Sequence, residues 1–372
     1  MYDIRSHHFP ALAFLWPALA AESASEIAAA MAKEFINLAV GPQSEPEVRE
    51  PAWASENRIA LELASVRLRD FSTAGGGFPT LICAPFALHG ATVADFASGH
   101  SLVEALQKCG LQRVFVTDWR SASPEMRLLA IDNYLADLNV VVDEIGGRID
   151  LIGLCQGGWL ALMYAARFAA KVRKLVIVGS PIDMAAAESP LSRLVQDTPM
   201  PLFHELVALG DGRVLGHRVL QFWAPDVIDP DMVRGVLRPA EEIGPAALRD
   251  LEARFRDWYA WTVDLPGTYY LQAVEQLFKN NELARGRFIA LGRRLDLADV
   301  NIPVYLLAAR DDELVASEQL FALERLIATP PAAVHKDTAP CSHLGLFMGR
   351  ATLCERWPQI AHWLGVAEPA LQ

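Results

Sequence analysis

Between residues 79 and 181 the chain alternates short apolar runs with longer segments in which apolar residues recur at three- and four-residue spacing. The runs at 79–85, 114–119, 149–154 and 174–181 are short and apolar enough to be buried strands. The segments between them have the periodicity of helices. Because parallel strands need crossover connections, this alternation predicts a mostly parallel sheet with helices on both faces.

The strand pattern lapses over residues 182–298, a stretch rich in Trp, Phe and Pro, and resumes after residue 300. We therefore predict an α/β core made of residues 59–181 and 299–372, interrupted by a helical lid or cap insertion at 182–298. Residues 1–58 have helix-forming composition and are expected to form an N-terminal helical extension.

Charge and short motifs exclude several classes of function. The net charge is -12 with no basic run, so a nucleic-acid partner is not expected. The five cysteines are scattered without a CxxC pair, which argues against a disulfide framework or zinc site and favours reduced thiols in the cytoplasm. No P-loop, HExxH or strand-linked GxGxxG occurs, so we expect no cofactor and no metal. The apolar run at 9–21 contains two prolines and is too short to span a bilayer.

The motif Gly153-Leu-Cys155-Gln-Gly157 lies between the strand at 149–154 and a helical segment. Strand, G-x-C-x-G and helix together predict a sharp turn that presents a nucleophile, Cys155, at the carboxyl edge of the sheet. A helix N-terminus there favours a thiolate. The alternative is a buried structural cysteine beside packing glycines. The flanking elements and the partners downstream favour the nucleophile, and with it an α/β-hydrolase fold with a helical lid.

In this fold, a nucleophile on such a turn is followed along the chain first by the acid and then by the histidine of the triad. Asp311 and Asp312 both follow the strand near 302–309. We favour Asp312, because the apolar residues after it can anchor the loop while the carboxylate turns inward. Asp311 is the alternative, with a solvated or capping role as its other interpretation.

His343 lies in a loop between the last strand and the terminal helix, where this fold presents its base. It is expected to move the thiol proton to the leaving group. His335, within a strand, and His362, within a helix, are interpreted as structural or surface residues.

The oxyanion is expected to bind main-chain N–H groups at two places. The first is Gln156, directly after the nucleophile, and the second is Phe86 or Ala87, in the loop after the strand at 79–85. His89, in the same loop, is either a substrate contact or a loop-stabilising residue.

With these residues identified, the chain resembles the poly(3-hydroxyalkanoate) enzymes over roughly residues 60–365, both the short, two-component type synthases and the intracellular depolymerases. The resemblance implies a Cys-Asp-His triad and a substrate-binding role for Trp119. The synthase-like segments are 153–158, with the helix and strand behind it, and 180–183. The depolymerase-like segments are 84–92, 116–119 and 341–350, and 265–288 is similar to both.

Departures from both families leave the reaction direction open. Synthases carry a histidine after the catalytic aspartate, where this chain has Glu313, and an Asn-containing loop in place of Leu88-His89. Depolymerases do not normally keep the paired glycines Gly157-Gly158. We predict hydrolysis of 3-hydroxyacyl esters. The alternatives are polymer synthesis from 3-hydroxyacyl-CoA, a general thioesterase or esterase, and a granule-associated binding protein, against which the intact triad argues.

The resemblance also implies partners and a location. The polymer or 3-hydroxyacyl-CoA is the expected substrate, a second copy of the chain and a granule surface are further expected partners, and the location is the cytoplasm or the storage granule. Aromatic residues of the insertion either line an acyl channel or pack the lid's own core. They are Phe203, Phe222, Trp223, Phe255, Trp258, Tyr259 and Trp261.

Overall fold

The computed structural model describes residues 49–223, 230–239 and 243–366, with the side chains of 220–223 left out. Its centre is an eight-stranded sheet with the order β1-β2-β4-β3-β5-β6-β7-β8. The strands are β1 (Arg58–Glu62), β2 (Val66–Asp70), β3 (Thr80–Cys83), β4 (Val114–Trp119), β5 (Ile149–Leu154), β6 (Val172–Val178), β7 (Val304–Ala309) and β8 (Val334–Ala339).

Five of the seven strand pairs are parallel, and the two at the β1 edge are antiparallel. The five strands from β3 to β7 are buried along their whole length. Burial on both faces explains why most residues of these strands are apolar. The predicted mostly parallel sheet is therefore confirmed.

Helices cover both faces of this sheet and divide the core into two apolar clusters. The helices α2 and α3 contribute to one cluster, and α1 and the C-terminal helix α13 to the other. The core helices are α1 (Leu102–Lys108), α2 (Ile131–Glu144), α3 (Gly157–Arg167), α10 (Ser317–Phe321), α11 (Gly345–Met348), α12 (Arg350–Glu355) and α13 (Trp357–Gly365).

The segment 182–298 is mainly helical, as expected, but it also contains short strands that the sequence does not reveal. Arg213–Val214 pairs with Leu265–Pro266, and Ile289–Ala290 pairs with Arg293–Arg294. Two-residue strands are too short to show a period-2 pattern. The helices are α4 (Pro190–Asp197), α5 (Met200–Leu209), α6 (Gly216–Trp223), α7 (Pro230–Leu237), α8 (Pro245–Ala260) and α9 (Gly267–Gln272), which continues as a π-helix over Ala273–Lys279.

The division into extension, core and insertion stays a prediction. Most of the predicted N-terminal helical extension, residues 1–48, lies outside the described residues. Residues 49–57, its last part, contain no helix and lead directly into β1. Within the described ranges, no helix combines the length and the apolar character needed to cross a bilayer.

Candidate active site

Cys155 occupies the sharp turn between β5 and α3. Its φ is 49°, in the left-handed region that non-glycine residues rarely adopt. Its N–H donates to the carbonyl of Val178 at 2.8 Å. The turn requires glycine nearby, because a Cβ on Gly157 would lie 2.2 Å from the Cys83 carbonyl oxygen and one on Gly158 would lie 2.0 Å from Ser180 Oγ. The strained turn with close backbone approach is the geometry that the motif predicts.

His343 and Asp312 are adjacent, although 31 positions separate them in sequence. His343 Nδ1 lies 2.9 Å from Asp312 Oδ2 and 3.1 Å from Oδ1. The Asp312 carboxylate accepts the N–H groups of Leu314 and Val315, both at 2.9 Å, through Oδ1. The side chains of Leu314 and Val315 are themselves buried. Asp311 is exposed, and its N–H donates to the Cys341 carbonyl at 3.1 Å.

The imidazole of His343 is fully buried between two acidic groups. Burial opposes its protonation, but attraction to Asp312 and Cys155 and hydrogen bonds to both raise the pKa of His343 well above its usual value. An imidazole that holds a proton beside a thiol stabilises the thiolate, which is the reactive form of cysteine. Cys155, His343 and Asp312 thus form a continuous electrostatic chain.

Glu313 is a fourth ionisable group at this site. Its Oε2 accepts the main-chain N–H of His343 at 3.2 Å, so it holds the histidine loop from the backbone side. Burial and the Asp312 charge raise the pKa of Glu313 to about 7, although His343 counteracts them. The sequence marks this residue as a departure from the synthases, and the structure places it against the backbone of His343.

The raised pKa of Glu313 predicts a pH-dependent loss of stability. Its folded pKa of about 7 exceeds the ordinary value of 4.5, so the folded state binds the proton more tightly. This contribution is complete below pH 4.5 and disappears as the pH rises through about 7. We expect the free energy of unfolding of wild type to fall by about 1–3 kcal/mol between pH 5 and 8 through this group. Glu313→Gln keeps the acceptor oxygen but does not ionise, so it should not show this fall. Urea unfolding of both proteins at the two pH values measures the difference. If the free energy of unfolding has the same pH dependence in both proteins, the pKa of Glu313 is not raised.

An apolar cavity of about 100 Å³ opens beside Cys155. Ala87 and Gln156 line this cavity together with Cys155. The core contributes Trp159 and Val315 among others, and the segment 182–298 contributes most of the remaining wall. Those residues are Leu191, Val195, Val214, Gly216, Val219, Val263, Leu265, Tyr270, Ala273, Val274 and Phe278.

Three other predicted site residues, Phe86, Trp119 and His89, do not line this cavity. The Phe86 ring is fully buried and packs on Tyr134, with 4.9 Å between ring centroids, and Trp119 donates its indole N–H to the Ala84 carbonyl at 2.9 Å. Both side chains stabilise the core under the loop. His89 is buried as well, at 4% exposure, and lines a second cavity of about 20 Å³ next to Cys155 and His343.

The aromatic residues singled out in 182–298 mostly pack into apolar clusters that the insertion shares with the core. Phe203, Phe255, Trp258 and Tyr259 are buried, and Trp258 alone of them lines either of these two cavities. The side chains of Phe222 and Trp223 lie outside the described part of the chain. Sequence reasoning missed Tyr270, Val274 and Phe278. Their spacing of four residues, which places them on one helix face, is the signal that could have identified them.

In the ranges that the structure describes, no three His, Cys, Asp or Glu side chains are grouped so that they could hold a metal ion. At the candidate site itself, the side chains of Cys155, His343 and Asp312 offer a thiol, an imidazole and a carboxylate. A thiol nucleophile, a buried base and an apolar cavity together suit the transfer of an acyl group.

Comparison with known proteins finds a family and several relatives to which the chain is similar. A family model described as alpha/beta hydrolase fold matches residues 87–349. The poly(3-hydroxyalkanoate) polymerase subunit PhaC of Synechocystis sp. is 30% identical over 283 residues, which are 73% of this chain and 73% of that protein. The subunit of the same name from Allochromatium vinosum is 27% identical over 289 residues, covering 73% of this chain and 76% of the relative.

Solved structures are similar in fold. A monoacylglycerol lipase from Paleococcus ferrophilus superposes with a TM-score of 0.52 at 16% identity, covering 80% of this chain and 98% of the lipase. An epoxide hydrolase from Bacillus megaterium gives 0.51 at 16% identity, with 83% and 98% covered. These likenesses bear on the fold alone, and they confirm the predicted α/β-hydrolase architecture.

Proposed function

The chain belongs to the alpha/beta hydrolase family, and we propose that it is a cysteine-dependent acyltransferase that joins 3-hydroxyacyl groups from 3-hydroxyacyl-CoA into a polyester. Its fold and its polymerase-subunit relatives make it an acyl-transferring enzyme of this family. The observation that carries the proposal is the chain of contacts from Cys155 through His343 to Asp312 beside an apolar cavity.

In the proposed first step, the Cys155 thiolate attacks the carbonyl carbon of the thioester. The negative oxygen that forms is bound by the N–H groups of Gln156 and Ala87. Collapse of this intermediate breaks the bond to the CoA sulfur, and His343 gives its proton to that leaving group. Asp312 keeps the imidazole in the tautomer whose other nitrogen faces the reacting atoms. An acyl–Cys155 thioester remains.

In the second step, a hydroxyl group attacks the acyl–Cys155 thioester. His343 takes the hydroxyl proton, and the Cys155 thiolate is the leaving group. If the hydroxyl belongs to another 3-hydroxyacyl group, an ester bond forms and the polymer grows. If it belongs to water, the product is a free 3-hydroxy acid. The triad is the same in both cases, so access of the acceptor decides the reaction.

Two observations favour polymerisation. The relatives at 27% and 30% identity are polymerase subunits, and the thiol adjoins an apolar cavity, with only 8% of Cys155 exposed. An environment that excludes water protects an acyl-enzyme from hydrolysis. The comparisons thus support the alternative reaction better than the hydrolysis that the sequence alone led us to predict.

Hydrolysis stays a second candidate because of one contact. Glu313 binds the backbone of the catalytic histidine candidate, at the position where the resemblance places a histidine in the synthases. An acidic group there changes the environment of the base. It favours the depolymerase-like interpretation of the histidine loop.

One pair of incubations distinguishes the candidates. Purified protein is given 3-hydroxybutyryl-CoA, with and without an added partner subunit, and separately amorphous poly(3-hydroxybutyrate). We expect CoA release that is matched by polymer, and no acid release from the polymer. Release of 3-hydroxy acid from the polymer without CoA release would establish hydrolysis instead. Polymer binding without either product would favour a granule-binding protein, and Cys155→Ala is the blank for both reactions.

Location and assembly are also part of the proposal. A polymerising enzyme keeps its growing product at the site, so the storage-granule surface in the cytoplasm is the proposed place of action. The homodimer stays a prediction, to be tested by light scattering of the purified chain.

A further inference from the structure

The loop that carries the second oxyanion donor is bonded to the insertion. We define the oxyanion loop as residues 85–90 and the tie segment as residues 258–264, at the end of α8. The N–H of Val263 donates to the Leu88 carbonyl at 3.0 Å. His89 Nδ1 lies 3.1 Å from the Trp261 carbonyl oxygen. Two hydrogen bonds between neighbouring positions fix both the distance and the direction of the loop relative to the tie segment.

Close packing reinforces these bonds. The His89 ring lies 4.6 Å from the Trp258 ring and 4.9 Å from the Tyr259 ring, measured between centroids. Gly90 faces the Trp261 ring so closely that a Cβ there would lie 2.5 Å from Cζ3. The oxyanion loop therefore has no room to move toward the tie segment without displacing an aromatic ring.

His89 is held in one protonation state. Burial lowers its pKa to about 4, despite the opposing hydrogen bond to Trp261, so the imidazole is neutral at physiological pH. Because a carbonyl oxygen only accepts, the Nδ1 atom must carry the proton that it donates to Trp261. His89 thus acts as a neutral hydrogen-bond donor in this position.

The other end of the tie segment is fixed to the core. The N–H of Asp264 donates to Ser121 Oγ at 2.9 Å, and the N–H of Ala122 donates to the Asp264 carbonyl at 2.9 Å. The Asp264 carboxylate also accepts the N–H of Gly216, at the start of α6, at 2.9 Å. The tie segment therefore connects the oxyanion loop, the loop after β4 and the insertion.

The position of the oxyanion loop matters because Ala87 lies within it. Ala87 lines both of the cavities that adjoin Cys155. An oxyanion donor contributes only when it lies at hydrogen-bond distance from the oxygen in the transition state. A displacement of about 1 Å at such a site can cost about 100-fold in rate.

We propose that His89 is a positioning residue: its hydrogen bond to Trp261 transmits the placement of the insertion to the Ala87 N–H. The insertion then controls the rate of acyl transfer as well as entry to the cavity. This inference rests on the proposed acyl transfer and on the oxyanion role of Ala87. Of the two roles considered for His89, substrate contact and loop stabilisation, the inference selects loop stabilisation. It adds that this contact affects the rate of acyl transfer.

A matched pair of variants tests the role of His89. His89→Asn places an amide N–H near the former Nδ1, whereas His89→Phe keeps an aromatic ring on Trp258 and Tyr259 but has no donor. The probe is p-nitrophenyl 3-hydroxybutyrate, and p-nitrophenol release reports formation of the acyl-enzyme. We expect His89→Phe to lower kcat about 10- to 100-fold with KM within about twofold, and His89→Asn to stay within about threefold of wild type.

Other outcomes would overturn the proposal. A wild-type kcat in His89→Phe, or a raised KM at constant kcat in both variants, would assign His89 to substrate contact or to packing alone. If circular dichroism shows that His89→Phe does not fold, Gly90→Ala decides. Its added methyl displaces the loop from Trp261, so a lowered kcat at constant KM supports the proposal and an unchanged kcat overturns it. Wild type that forms no acyl-enzyme with a folded site would contradict the proposed function, whatever the variants do.

Discussion

Replacement of Cys155 by alanine is expected to lower acyl transfer by at least about 1,000-fold, because the atom that forms the acyl-enzyme is removed. The fold should survive, since alanine keeps the Cβ and only a small thiol is lost from a turn whose backbone is fixed by Val178 and Ser180. The measurement is CoA release from 3-hydroxybutyryl-CoA together with p-nitrophenol release from the chromogenic ester, with circular dichroism as the test of folding.

The other cysteines provide controls for this experiment. Cys109 and Cys354 are exposed, and their replacement by serine is expected to leave kcat unchanged within about twofold. Cys155→Ser should be severely impaired, because a hydroxyl group at this position lacks the low pKa of a thiol. Full activity of Cys155→Ala would show that Cys155 is not the nucleophile. Loss of activity in the two exposed-cysteine variants would weaken the assignment of the nucleophile to Cys155.

The α/β core could be predicted because its signals are local. The strands from β3 to β7 are buried on both faces, so each reads as a short apolar run between helical segments. The turn at Cys155 could be predicted for a similar reason. Other backbone atoms approach this turn so closely that Gly153 and Gly157 have no room for a Cβ, and those glycines are visible in the sequence.

The environment of the site could not be predicted, because it depends on contacts between distant segments. His89 and Trp261 are 172 positions apart, and no periodicity connects them. The walls of the cavity come from many separate helices, short strands and loops, so apolar residues there look like ordinary core positions. Trp119 illustrates the reverse error. A family resemblance suggests a substrate role for it, whereas its indole is buried against Ala84.

Reaction direction is the hardest property to derive, since both reactions share the acyl-enzyme. The sequence motifs around Glu313 and His343 favour hydrolysis, and the polymerase relatives favour polymer synthesis. The physical difference lies in whether water or a chain hydroxyl reaches the thioester. That depends on the shape of the covered cavity and not on the identity of the three reacting groups.

Exchange of one aspartate for asparagine in the loop after β7 should greatly lower activity at Asp312 and leave it nearly unchanged at the adjacent Asp311. We expect Asp312→Asn to lower kcat/KM by about 100- to 10,000-fold. An asparagine at this position can still accept the N–H groups of Leu314 and Val315 through its carbonyl oxygen. Its amide nitrogen then faces His343 Nδ1 and donates to it, which forces the proton onto Nε2 and leaves the imidazole unable to act as a base toward the thiol.

Asp311→Asn is the matched control, because it makes the same chemical change one residue earlier. Asp311 is exposed and contacts the histidine loop only through its main-chain N–H, so we expect its replacement to change kcat/KM by less than about threefold. The pH dependence separates a charge effect from a folding effect. Asp312 raises the pKa of His343 by charge and hydrogen bonding, so the pKa seen in the remaining activity of Asp312→Asn should fall, whereas Asp311→Asn should keep the wild-type profile. A crippled Asp311→Asn beside a mildly affected Asp312→Asn would assign the triad carboxylate to Asp311. Equal and small effects of both would mean that His343 needs no carboxylate partner.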